Sequence, residues 1–338
     1  MGSFLSTNSF PVKGRTVLIT GGSKGTGLEA GRQLAAKGAN VVIVARDPKR
    51  LQEGIEYIRA GALSPETQRF HYISADVTRA ETCASILAEV TEWNSESPPD
   101  IVWCCAGASH PTLFVDTEVS SFQHQMDANY FSSAYTAHAA LRAWLKPATK
   151  PATNDGDTQS KRPAPRHIIF FSSFLALYPI AGYAPYSPSK AALRSLSDSL
   201  SQEMQLYAAA NPQSPPVRVH TVFPATIFTE SYEEENRTKS DLTKMLEETD
   251  GGQTAEVVAR ESIKGLEAGH ELITCDILSR LVMCSTLGAS ARGGFWKGLL
   301  DSFLGWLMLI AMVIVRGDMD RKVRKWGKRH GDSGMKTQ

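Results

Sequence analysis

The sequence predicts an α/β protein: a doubly wound parallel sheet of about seven strands, followed by a C-terminal apolar, membrane-associated segment. Three observations predict it. Short runs that are apolar and largely β-branched recur through the first 275 residues, as expected of strands covered on both faces of a parallel sheet. Stretches of helix length separate them, and that alternation builds βαβ units. A glycine-rich turn follows the first run directly, where a strand would hand over to a helix. The 338 residues are 42% apolar and 21% charged, which allows a sizeable core and argues against a disordered, collagen-like or disulfide-stapled chain.

Each element follows from its residues. TVLIT at 16–20 and VVIVA at 41–45 read as the first two strands, and FHYIS at 70–74 as the third. IVWCC at 101–105, HIIFF at 167–171 and VRVHTVF at 217–223 continue the series, and ELIT at 271–274 reads as a weaker seventh. Residues 27–37, 80–93, 119–145 and 187–207 are the intervening helices. Residues 146–166 break the pattern with Pro, Thr, Asn, Asp, Gly and Ser. Lying between a helix and a strand, they read as a long surface loop, not a domain linker. The expected division is a cofactor-binding catalytic domain over 1–275 and a membrane-associated segment with a basic tail over 276–338.

Five cysteines with no CxxC spacing fit neither a disulfide framework nor a zinc site. Reduced thiols in a cytosol-facing domain are expected. Residues 1–12 lack a basic start followed by an apolar run, so no secretory signal is expected. A net charge of +1 gives no electrostatic footprint for nucleic acid.

The first turn reads Thr20-Gly21-Gly22-Ser23-Lys24-Gly25-Thr26-Gly27. Between a strand and a helix, such glycines permit a tight turn and close approach of backbone amides to a pyrophosphate. Gly21, Ser23, Lys24, Gly25 and Gly27 are therefore candidate cofactor residues. A site for NAD ordinarily places a carboxylate at the end of the second strand to bond the ribose 2′-hydroxyl. Here that position is Ala45, followed by Arg46, with Arg50 one turn into the next helix. Guanidinium groups attract a 2′-phosphate, so NADPH is the expected cofactor; Asp47 beside Arg46 weighs slightly against it. Asp76 and Val77, after the third strand, are placed to cap the adenine pocket. Cys105-Ala106-Gly107, after the fourth, is placed to line the nicotinamide side.

Ser173 follows the fifth strand, and Tyr186 and Lys190 lie four residues apart on the next helix, sharing one face. Carbonyl reduction needs a hydride and a proton. A phenol can give the proton, but its ordinary pKa near 10 suits neutral pH poorly. A neighbouring ammonium and an oxidised nicotinamide would favour the phenolate. Ser173 can position the carbonyl oxygen. Asn129, in the middle of a long helix where an internal Asn is otherwise unfavourable, can hold a water that relays protons to Lys190. A lone YxxxK arises often by chance; the whole ordered set does not.

That set resembles the classical short-chain dehydrogenase/reductase family over roughly residues 13–275, on TGGSKGTG, Asp76-Val77, CAG, Asn129, Ser173 and YSPSK. The resemblance implies a single Rossmann-type domain and NAD(P)-dependent ketone or alcohol chemistry. Two departures touch the expected nicotinamide contacts. The family's Asn-Ala-Gly is Cys105-Ala106-Gly107 here, and its Pro-Gly after the sixth strand is Pro224-Ala225. A narrower resemblance joins GANVVIVAR, PDIVWCCAG, HPTLF, the run from GYAPYSPSK to SQEM, and VFPATIFTE to the fungal 3-ketodihydrosphingosine reductases of that family. It implies NADPH-dependent reduction of a long-chain keto-sphingoid base, 3-dehydrosphinganine, to sphinganine, at the endoplasmic reticulum membrane with the catalytic domain facing the cytosol. The residue chemistry itself does not select that ketone. Another lipid or steroid ketoreductase would carry the same proton-transfer residues. A non-catalytic NADPH-binding scaffold would not need a phenol beside an ammonium.

The C-terminal part supports a lipid surface independently. Residues 299–315 are strongly apolar, short for a perpendicular span of about 20 residues, and lie beyond the last expected sheet element. A buried core helix, or a helix pairing subunits of a homo-oligomer, would read similarly. Trp296 and Trp306 suit an interface. Arg316, Arg321, Lys322, Arg324, Lys325, Lys328 and Arg329 then suit an anionic leaflet. Spanning, re-entrant and in-plane forms all stay open. One span alone would put tail and catalytic domain on opposite sides, which a hairpin or an in-plane helix avoids. Residues 226–248, polar and acid-rich, resemble the family's mobile lid over the substrate; an exposed acidic helix fits the charges equally.

Overall fold

A computed structural model of the chain describes residues 8–145, 163–248 and 250–331. Most of the predicted loop at 146–166, and residues 1–7 of the N-terminus, lie outside the described residues. The element order is β1 (Thr16–Thr20), α1 (Gly25–Ala35), β2 (Asn40–Ala45), α2 (Pro48–Ala60), β3 (Phe70–Ser74), α3 (Ala80–Trp93) and β4 (Ile101–Cys104). Then come α4 (Val119–Met126), α5 (Ser132–Trp144), β5 (Arg166–Phe171), α6 (Ser187–Ala210) and β6 (Val217–Phe223). The chain closes with the two-residue strand β7 (Ile227–Phe228), α7 (Glu230–Thr238), α8 (Asp241–Glu247), the two-residue β8 (Gln253–Thr254), α9 (Ala255–Glu267), β9 (Leu272–Thr274), α10 (Ile277–Thr286) and α11 (Phe295–His330).

Seven strands form one parallel sheet in the order β3-β2-β1-β4-β5-β6-β9. The apolar runs form strands because both faces are covered: Val17, Leu18, Ile19, Val41, Val42 and Ile43 are all fully buried. Residues of one parity pack into a core under α1, α2 and α9, and those of the other into a core under α3, α5 and α6. The strand order reverses between β1 and β4, and ligands of such sheets bind in the crevice at that reversal, beyond the strands' carboxyl ends.

Residues 119–145 differ from the sequence reading in not forming one regular helix: a π-helical turn at Asp127–Phe131 separates α4 from α5. The C-terminal apolar run and the basic residues that follow it in the sequence share one element. It is a single 36-residue helix that carries the basic residues along with it. An 18-residue window of α11 has mean hydropathy 2.2, and only 11% of it is buried. Among the described residues it is the one helix long and apolar enough to cross a membrane by length and composition. α11 nevertheless touches the catalytic body. A Cβ at Gly305 would fall 2.4 Å from the Cys284 carbonyl oxygen, so glycine there permits close contact with α10. Met308 and Met312 pack on a cluster containing Leu177, Phe223 and Met283. Asp301, 1% exposed, is held by Arg280 and Lys297.

Candidate active site

The turn after β1 lies against the loop after β4 at backbone contact distance. A Cβ at Gly21 would meet the Ala106 amide at 2.7 Å, and one at Gly27 would meet the Gly21 carbonyl at 2.4 Å. Gly21 and Gly25 have φ of 70° and 57°, the left-handed region that favours glycine. Lys24 is the N-cap of α1 and offers its first turn no side-chain hydrogen bond. Helix amides at the mouth of the crevice are the arrangement that receives a pyrophosphate. The described residues thus fit a dinucleotide: Gly21, Ser23, Gly25 and Gly27 at the phosphates, Asp76 and Val77 beyond β3, and Gly107 beyond β4.

The basic residues expected at a 2′-phosphate are not all free to meet one. Arg50 makes a bidentate pair with Glu230 of α7, at 2.7 Å and 2.8 Å. Lys24 lies 3.9 Å from Glu234 of the same helix. Arg46 is exposed and close enough to Asp76 to help lower its carboxyl, after the larger effect of the Thr78 amide hydrogen bond. Asp47, which as sequence weighed against phosphate, caps α2 by accepting from the Lys49 and Arg50 amides at 3.0 Å and 3.1 Å. Arg50, Lys24, Ser23, Tyr57 and Glu230 line a cavity of about 420 Å³.

Ser173, Tyr186 and Lys190 converge at the carboxyl end of β5. The Ser172 hydroxyl donates to the Lys190 carbonyl at 2.8 Å, and the Lys190 ammonium donates to the Phe171 carbonyl at 2.9 Å. Strand end and helix start are therefore stitched in both directions. Lys190 Nζ lies 5.7 Å from the Tyr186 ring centre. Burial lowers the Lys190 ammonium to about 8, against a smaller upward pull from Cys105. Burial raises the Tyr186 phenol, Glu235 raises it further, and the hydrogen bond with Ser173 lowers it. These effects together hold Tyr186 in the phenol form. Burial dominates, and Ser173 rather than Lys190 supplies the opposing effect. Cys105, at the position where Asn was expected, is likewise held as a neutral thiol by burial.

Asn129 is fully buried in the π-helical turn. Its Oδ1 accepts from the Ala108 amide at 3.0 Å, and its Nδ2 donates to the Ala108 and Gln125 carbonyls at 2.9 Å and 3.0 Å. The side chain fastens the loop after β4 to the helix. Single π-turns occur often at functional sites. Gly107 lies between Asn129 and Lys190: a Cβ there would fall 2.7 Å from Asn129 Oδ1 and 3.2 Å from Lys190 Nζ.

A family model described as short chain dehydrogenase matches residues 15–240. The chain belongs to that family. Short-chain dehydrogenases carry a nicotinamide cofactor, which the glycine turn and the crevice fit. A protein of Aspergillus fumigatus named 3-ketodihydrosphingosine reductase ksrA is 46% identical over 96% of this chain and 88% of its own length. One of Neurospora crassa named 3-ketodihydrosphingosine reductase gsl-3 is 43% identical over 98% and 87%. Among solved structures, a short-chain type dehydrogenase/reductase from Mycobacterium marinum matches with TM-score 0.63 and 23% identity, covering 80% of this chain and 96% of that one. That last likeness is one of fold.

Above the site sit α7 and α8. Thr229 and Ser240 cap them, accepting from the Tyr232 amide at 3.3 Å and the Thr243 amide at 3.0 Å. The Thr243 hydroxyl donates to the Ala181 carbonyl at 3.2 Å, just before Tyr183 and Tyr186. Here lies a group that the sequence reading missed. Tyr183 donates to Glu235, and the fully buried Lys239 pairs with Glu235 at 2.9 Å and with Glu247 at 2.6 Å. The acid-rich composition was visible in the sequence, but a buried pairing with a tyrosine some 50 residues earlier was not.

Proposed function

We propose that the protein reduces the ketone of 3-ketodihydrosphingosine (3-dehydrosphinganine) to sphinganine with NADPH, at the cytosolic face of the endoplasmic reticulum membrane. The observation that carries this reading is the convergence of Ser173, Tyr186 and Lys190 in a chain whose relatives bear that enzymatic name over nearly its whole length. When bound, the reduced nicotinamide supplies a hydride to the carbonyl carbon. The protein's part is the proton and the orientation. Ser173 and Tyr186 hydrogen-bond the carbonyl oxygen, and Tyr186 gives it a proton as charge develops there. A phenol raised by burial is in the correct form to donate, which suits reduction rather than alcohol oxidation. Lys190, with its pKa near 8, is mainly an ammonium at pH 7 and favours the phenolate left behind. Asn129 holds the β4 loop in register with both.

Arg46, with Ala45 where a carboxylate would select NAD, supports NADPH. The apolar cluster running from Phe174 and Tyr178, just after Ser173, to Met308 and Met312 of α11 supports a long-chain substrate. The exposed apolar side of α11 supports attachment to a bilayer, and five free cysteines suit the reducing cytosol. The test is an assay of the purified protein with 3-ketodihydrosphingosine and NADPH. Sphinganine formation is expected; no turnover of this ketone, alongside turnover of another keto-lipid, refutes the assignment. Carbonate extraction of membranes tests attachment, and full release of the protein refutes integral insertion.

A further inference from the structure

The buried carboxylates of Glu235 on α7 and Glu247 on α8 have no part in the proton transfer described above. Glu235 and Glu247 are 14% and 11% exposed, and they share the single ammonium of Lys239, which is 0% exposed. That ammonium lies 5.5 Å and 5.0 Å from the ring centres of Tyr183 and Tyr232. The group therefore sets two carboxyl groups against one ammonium, and the carboxyl of Asp250, raised by burial and by Glu247, lies close enough to feel both Glu247 and Lys239. It also reaches the reacting centre: Tyr183, which donates to Glu235, has its ring centre 5.9 Å from that of Tyr186.

A carboxylate in this place opposes the chemistry. Tyr186 becomes a phenolate when it gives up its proton, and a neighbouring negative charge disfavours that form. The Lys190 ammonium, 5.7 Å from the Tyr186 ring centre, favours the phenolate, so Lys190 and the carboxylate act on Tyr186 in opposite senses. An excess buried charge is costly unless a partner arrives. The ketone proposed above brings one, since the carbon next to its carbonyl carries an amine that is protonated in water. We propose that Glu235 is the specificity-determining residue for this substrate and pairs with its α-ammonium. The inference rests on the substrate reading of the preceding subsection. Binding of the cation satisfies the surplus carboxylate and removes its opposition to the phenolate in the same event.

The test compares kcat/KM for 3-ketodihydrosphingosine and for the same ketone lacking the amine, in the full-length wild type, Glu235→Gln and Glu235→Asp. Glutamine can still accept from Tyr183, and it leaves Lys239 paired with Glu247, so one charge is removed without dismantling the group. The wild type should prefer the amino ketone. Glu235→Gln should lose about tenfold or more on the amino ketone, the range a charge-assisted hydrogen bond supplies, mainly in KM, and should lose nothing or gain on the deamino ketone, for which only the opposing charge has been removed. Glu235→Asp, which keeps the charge, should retain part of the preference. A preference that survives in Glu235→Gln overturns the proposal. Equal losses on both ketones also overturn it, because Glu235 would then only hold α7 in place. A wild type that does not reduce the amino ketone overturns the substrate reading itself, and the proposal with it.

Discussion

Gly107→Ala isolates the geometry on which the candidate site depends. Gly107 has no left-handed backbone, so an added methyl costs only space. The space is already taken, by Asn129 Oδ1 at 2.7 Å and by Lys190 Nζ at 3.2 Å. Neither neighbour can retreat freely. Asn129 is tied by three hydrogen bonds of 2.9 to 3.0 Å, and Lys190 by one of 2.9 Å to Phe171. Restoring ordinary contact needs a retreat of roughly 0.7 Å by Oδ1, enough to stretch its bond from the Ala108 amide out of range. Losing one to three such buried bonds costs about 1–3 kcal/mol of stability. Displacing Lys190 in the same movement should lower turnover at least about tenfold, since misplacements near 1 Å can cost about a hundredfold. The measurements are the denaturant midpoint, NADPH affinity and kcat on 3-ketodihydrosphingosine. Gly251→Ala is the control, because a Cβ there meets nothing within 4 Å. Wild-type stability and turnover in Gly107→Ala would refute the claim that this residue separates Asn129 from Lys190.

Three further outcomes follow from the same geometry. Tyr186→Phe should reduce kcat by about 10²–10⁴, the usual contribution of a positioned acid, with NADPH binding nearly unchanged; retained turnover means the proton donor is another group. Glu230→Gln frees Arg50 and should tighten NADPH binding a few-fold in a fluorescence titration while leaving NADH unaffected. Equal effects on both cofactors would show that Arg50 does not meet the 2′-phosphate. Stability should fall in acid because of His167 and His220, neighbours on β5 and β6 that are both fully buried. His220 Nδ1 donates to the His270 carbonyl at 2.7 Å, so its Nε2 must accept from His167 Nδ1 at 3.0 Å, and both rings are neutral. Burial lowers them to about 4 and about 2, whereas unfolded histidine titrates near 6.5. The unfolded state thus binds more protons below pH 6.5. The stabilisation is complete above that value and is lost as pH falls toward 4, by up to about 1.4 kcal/mol per pH unit for each ring. Denaturant midpoints that do not change between pH 7 and pH 5 would contradict it.

The parts of the fold legible in the sequence are those set by local patterns. Val41–Val44 or Ile168–Phe170 must be strand because residues buried on both sides are apolar without alternation. The turn from Gly21 to Gly27 is readable because only glycine tolerates both its φ values and its contacts. Tyr186 and Lys190 share a face by helix periodicity alone. What stayed hidden depends on partners remote in sequence. Nothing around Arg50 announces a carboxylate 180 residues later, and the same guanidinium reads equally well as a phosphate ligand. Asn129 is anomalous in a helical pattern, but the π-turn that accommodates it exists because the Ala108 backbone lies opposite. Glu235, Lys239 and Glu247 look like an exposed acidic helix until Tyr183 is brought beneath them.

α11 shows how a composition can be read correctly and its geometry missed. The chain's +1 charge combines +5 over residues 316–338 with −4 over the rest, which suggests an apolar segment followed by a basic tail. Both lie on one continuous helix, and its two sides differ. Asp301, Gly305, Met308 and Met312 recur at helical spacing and face the catalytic body. Trp296, Phe303, Trp306, Ile310 and Val313 are more than half exposed. Packing on the body continues to Met312, near the far end of the apolar stretch. Where α11 packs on the domain, a perpendicular span would draw polar surface into hydrocarbon, which is costly. An in-plane placement avoids that cost. It would set the exposed apolar residues against lipid and the basic continuation against anionic headgroups, with both termini of α11 on the side of the catalytic domain. The contacts of Met308 and Met312 with the Phe174–Tyr178 region would then give a long alkyl chain a short apolar path from the interface to Ser173.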